Sequence, residues 1–100
     1  MCYNYTTTFW SDFTIAEKFG MAAIKDTAAR AFSEWKDDIQ YLTELVMVIN
    51  HKCWEHYHNN NNELSNYYGD LYYEYYEKAL NYLDQNGRKD AIHYFLKTLD

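Results

Sequence analysis

The chain predicts an all-α fold, a bundle of three to four helices with a short N-terminal helix and an extended aromatic arm, and three observations carry that expectation. Proline is absent and glycine occurs only at Gly20, Gly69 and Gly87, so the usual helix breakers and turn formers are scarce. Ile24, Ala28, Ala31, Phe32, Trp35, Ile39, Leu42, Val46, Ile49, Cys53 and Tyr57 fall within an arc of about 100° when plotted at about 100° per residue. Tyrosine is concentrated in one segment: Tyr67, Tyr68, Tyr72, Tyr73, Tyr75, Tyr76 and Tyr82 account for seven of the 12 in the sequence.

Residues 1–11 hold Tyr3, Tyr5, Phe9 and Trp10 around Thr6-Thr7-Thr8, a β-leaning composition with no partner strand elsewhere. An arm laid on the body is the expectation. Thr14-Ile15-Ala16-Glu17 has the spacing of a capping box, in which the Thr hydroxyl and the Glu carboxylate satisfy backbone donors at a helix start. A short helix over 14–19 follows, ending at Gly20.

The long stripe admits two arrangements. Lys36-Asp37-Asp38 can close a helix over 21–36 and let Asp37, with Gln40 at the matching position, cap another over 38–58. The alternative is one unbroken helix over 21–58, roughly 55 Å long at about 1.5 Å per residue, which would call for an oligomer to cover it. Asn59-Asn60-Asn61-Asn62 marks the next loop, with Asn62 or Ser65 available as a cap. A tyrosine helix over 63–85, a stop at Asn86-Gly87 and a last helix over 88–99 burying Ala91, Ile92, Phe95, Leu96 and Leu99 complete one helical domain over 1–100.

On a wheel of the tyrosine helix, Asn66, Asp70, Glu74, Glu77, Asn81 and Asp84 crowd into about 80°, while apolar and aromatic residues occupy about 240°. An ordinary surface helix buries a far narrower stripe, so this one needs several neighbours in its own chain or a second chain. Tyr72, Tyr73 and Tyr76 lie at the far edge of the arc and are the candidate contact residues. Tyrosine suits such half-wet contacts because its ring is apolar and its tip polar.

Chemistry finds less support. His51, Glu55 and His58 stand at i, i+4 and i+7, a spacing able to chelate a divalent ion, but on a face with Gln40 and Glu44 that should be solvated. Glu55-x-x-His58 and Asp90-x-x-His93 imitate halves of a two-metal bundle site, yet the core stripe lacks the further carboxylates such a site needs. Cys53 falls inside the apolar stripe, and His56 only partly faces it, so the pair makes a poor nucleophile and base. No phosphate loop or nucleophile elbow occurs. No enzyme and no cofactor are expected.

A net charge of −6 argues against direct nucleic-acid binding, which needs clustered Lys and Arg. The acidic strip Asp70, Glu74, Glu77 and Asp84, with Glu34, Asp37 and Asp38, permits an alternative: a decoy that imitates nucleic-acid charge against a DNA-binding protein. Two cysteines without CxxC spacing, no basic segment leading into an apolar one, and no apolar run longer than Leu45–Ile49 predict a cytoplasmic protein with no membrane partner. The strings Phe13-Thr14-Ile15-Ala16-Glu17-Lys18-Phe19-Gly20 and Thr43-Glu44-Leu45-Val46-Met47-Val48-Ile49-Asn50, followed by Trp54-Glu55-His56-Tyr57, resemble small uncharacterised helical proteins of gut-bacterial mobile elements and phages. That resemblance implies a cytoplasmic, non-enzymatic accessory protein. The functional expectation is therefore a protein-binding or self-associating module, with the acidic decoy second and a surface or bundle metal site third.

Overall fold

Phe9, Phe13 and Ala16 are buried at a spacing of four and three, the signature of one helix face. The computed structural model, which describes residues 7–99, accordingly makes Thr7–Glu17 a helix, α1. This corrects the extended arm over residues 7–11; the rest of that arm lies outside the described residues. Packing of the two phenylalanines outweighs the weak β preference of the threonines. Thr14 is then interior to α1 and no cap: its hydroxyl donates to the Trp10 carbonyl at 2.9 Å.

Four more helices follow, α2 (Met21–Trp35), α3 (Ile39–His58), α4 (Asn62–Gln85) and α5 (Lys89–Leu99), and no strand occurs among the described residues. Among the described residues the count is five, above the expected three to four; the supposed arm adds no helix of its own but extends the short helix expected over 14–19 back to Thr7. Gly20, at φ 107°, adopts the left-handed half of backbone space as the chain leaves α1 and enters α2.

The chain turns at Lys36-Asp37-Asp38, which removes the alternative of one helix over 21–58. Such a helix would outrun the molecule, whose longest dimension is 39 Å. Asp38, not Asp37, is the cap; its carboxylate accepts from the backbone N–H groups of Gln40 and Tyr41 at 3.1 and 3.2 Å. Asp37 instead takes the hydroxyl of Tyr82 from α4.

The asparagine tract divides its work by position. Asn60 sits at φ 62° where α3 ends, and the Asn61 N–H reaches back to the His56 carbonyl at 2.8 Å, closing a Schellman turn. Asn61 also caps α4 by accepting from the Leu64 N–H, so neither Asn62 nor Ser65 does. Ser65 points inward, its hydroxyl donating to the Cys53 carbonyl at 3.0 Å. Gly87, at φ 66°, ends α4 in the same way, with the Arg88 N–H on the Leu83 carbonyl.

The helices run alternately up and down. Ser65 meets the end of α3 and Tyr82 its beginning, Phe32 of α2 meets Tyr75 and Tyr82, and Phe95 of α5 meets Tyr76. α3 is central, packed against α1, α2, α4 and α5. Every residue from Leu42 to Ile49 is buried, so Glu44 is enclosed where a solvated face is expected, while Gln40 and His58 on that face are exposed and His51 and Glu55 half-buried. No helix among the described residues is long and apolar enough to cross a membrane.

Candidate functional site

Lys52 lies within about 20° to 40° of Leu45 and Val48 on the α3 wheel, and the core closes over it along with them. The side chain is 2% exposed. Its Nζ donates to Thr14 Oγ1 at 2.7 Å, lies 3.4 Å from Glu17 Oε2 and 3.5 Å from Glu55 Oε1, and stands 4.0 Å above the Trp10 ring centre. An ammonium has three donors, and here it meets a hydroxyl, two carboxylates and an aromatic face.

A second layer holds Glu17. The Tyr68 hydroxyl donates to Glu17 Oε2 at 2.7 Å. His56 Nε2 lies 3.2 Å from Glu17 Oε1, angled short of a hydrogen bond, and its ring stacks on Tyr68 with planes 3° apart. Burial pushes the Glu17 carboxyl up, but the Tyr68 hydroxyl, the His56 ring and the Lys52 ammonium together outweigh it and leave the group below its ordinary value. Burial and the adjoining Glu17 carboxylate push the Tyr68 hydroxyl far up. With Nζ closed off from solvent, this cluster fastens α1 to α3 and α4.

The tyrosines of α4 separate by neighbour. Tyr68 and Tyr75 are buried, Tyr67 donates to the Met21 carbonyl at 3.1 Å, and Tyr82 is held by Asp37. Tyr72 and Tyr76 are half-buried, with the Tyr76 ring 5.5 Å from Phe95 of α5 and 5.7 Å from Tyr72. Tyr73 is 72% exposed, its ring 5.5 Å from that of Tyr72. These three tyrosines and Leu99 line a surface depression of about 360 Å³. The helix needing most cover thus obtains it from α1, α2, α3 and α5 everywhere except this edge.

The metal-ligand candidates stay apart in role. Glu55 leans toward Lys52, His58 lies against the rings of Trp54 and Tyr57, and burial pushes the half-buried His51 imidazole down. Among the described residues no group of three His, Cys, Asp or Glu side chains is placed to hold a metal ion. Asp90 and His93 are exposed on α5. Cys53 Sγ rests 3.7 Å from Ser65 Oγ, half-buried.

The Lys52 cluster escapes the sequence reading because Thr14 and Glu17 carry the spacing of a capping box. One signal for it exists: a lysine in register with Leu45 and Val48, one turn beyond an otherwise apolar run. No family model, curated protein or solved structure matches the chain.

Proposed function

We propose that this protein acts by contact rather than by chemistry, as a protein-binding or self-associating module whose docking edge is formed by Tyr72, Tyr73 and Tyr76 of α4 with Leu99 of α5. The observation that carries the reading is the Tyr73 ring, 72% exposed beside two half-buried tyrosines. A ring left in water beside other rings can shed that water on contact, and its hydroxyl can be satisfied at the rim. The titratable cluster around Lys52 offers no competing reading, since its ammonium is enclosed. A cytoplasmic setting goes with this reading, in which the free thiol of Cys53 stays reduced.

Sedimentation velocity over a concentration series tests self-association. The wild-type chain is expected to shift toward a dimer as concentration rises, and Tyr73→Asp, which sets a charge in the contact, to remain monomeric. A wild-type chain that is monomeric throughout, or a dimer that survives Tyr73→Asp, defeats the self-association form.

A further inference from the structure

α1 and α2 pack side by side and leave between them a groove of about 430 Å³ that shares no residue with the tyrosine edge. Its floor includes the small side chains of Ala16, Ala23 and Ala31, which let another backbone come close. Phe19 and Ile15 stand together on its wall at 77% and 55% exposed, an apolar pair open to contact. The rim is acidic: among the described residues that line it, Asp12 on α1 and Asp26 and Glu34 on α2 stand with one cation, Arg30, which is paired with Asp26 at 3.0 Å.

We propose that this groove is a docking site for a basic amphipathic helix of another protein, its apolar face on the alanine floor and its Lys or Arg side chains against Asp12 and Glu34. Three carboxylates against one guanidinium leave the rim at about −2, a field that attracts and orients a cationic partner. The contact would be of the helix-in-groove kind, made by apolar anchors of the partner at i, i+3, i+4 and i+7. A second copy of this chain fits poorly, because two-fold apposition would set the same carboxylates against each other in a molecule that already carries −6.

A fluorescently labelled Leu/Lys amphipathic peptide of roughly 15 residues, long enough at about 1.5 Å per residue to span α2, provides the probe. Its anisotropy on titration with the full chain should show micromolar binding that weakens as salt rises, whereas a Leu/Glu peptide of the same apolar pattern should not bind. The double variants Ile15→Asp/Phe19→Asp and Asp12→Lys/Glu34→Lys should each weaken binding by about tenfold or more, as expected for loss of anchors or reversal of rim charge. Asp70→Lys/Glu77→Lys makes the same change in net charge on the polar strip of α4 and should leave most of the affinity intact. Because all altered side chains are exposed or on the rim, circular dichroism should be unchanged. The proposal is overturned if the Lys peptide fails to bind, if the Glu peptide binds as well, if the α4 reversal weakens binding as much as the groove reversal, or if Tyr73→Asp abolishes binding.

Discussion

Lys52 and Tyr73 occupy places the other would ordinarily take. The ammonium is enclosed at the join of three helices, while an aromatic ring of about the same reach stands in water on α4. The difference lies in what each position offers. Beside Lys52, α1 brings Trp10, Thr14 and Glu17, enough polar and aromatic surface to replace water around a charge. Beside Tyr73, α5 brings Phe95 and Leu99, which half-cover Tyr72 and Tyr76 and leave the third ring open. A buried charge so well partnered holds helices together; an open ring so poorly covered is available to something else.

The largest effect expected from breaking this contrast is at Lys52. Lys52→Ala leaves Glu17 without its ammonium in a largely enclosed site and should cost about 3–5 kcal/mol, a large share of the roughly 5–15 kcal/mol of a small domain. Urea unfolding should show a much lower midpoint with little change in slope. Combining Lys52→Met with Glu17→Gln should restore part of the loss, by a coupling on the order of 0.5–3 kcal/mol. Strict additivity of the two would mean the pair does not act as a unit. Tyr68→Phe comes next: it removes the hydroxyl that Glu17 accepts at 2.7 Å and should cost about 1.5–3 kcal/mol in the same measurement.

Part of this was legible in the residues and part was not, for a physical reason. The arc of about 240° on α4 is a property of one helix, visible from spacing alone, and leads to the Tyr73 edge. The 24–57 stripe instead keeps one phase across α2 and α3, which favours an unbroken helix, so only the capping residues of Lys36-Asp37-Asp38 point to the turn. The cluster draws Thr14, Glu17, Lys52, His56 and Tyr68 from three helices, and no local spacing encodes such a meeting. Thr14 and Glu17 were also ambiguous in themselves, since three residues apart suits a capping box and a helix interior equally. What decides between them is a partner 38 residues away. The cap at Asp38 rather than Asp37 is a smaller miss of the same kind, because adjacent aspartates differ only in which one the tertiary structure engages from outside, here Tyr82 on Asp37.

A pH series sharpens the account of the cluster. Glu17 has a folded-state pKa below its ordinary value despite the burial that pushes it up, because Tyr68, His56 and Lys52 favour its charged form. The unfolded chain therefore takes up the proton first, so this contribution to stability is complete above the ordinary carboxyl range and is lost as pH falls through the folded value. Tyr68 works in the opposite direction: burial and Glu17 raise its pKa, so its contribution is complete below about pH 10 and is lost at higher pH. Thermal melts from about pH 7 down to about pH 3 should fall more steeply for wild type than for Glu17→Gln. Parallel slopes would remove Glu17 from the acid response.

The smallest effect on stability belongs to the most open tyrosine. Tyr73 touches Tyr72 and otherwise faces solvent, so Tyr73→Ala should change unfolding free energy by no more than about 0.5 kcal/mol. Phe95→Ala, which empties the place against which Tyr76 packs, should by contrast cost about 3–5 kcal/mol. If Tyr73→Ala were as costly as a core truncation, the ring would be part of the monomer's own support, and the distinction between the fastened end and the open edge would fail. A nearly silent substitution that still alters association separates what this chain needs in order to fold from what it leaves exposed for contact.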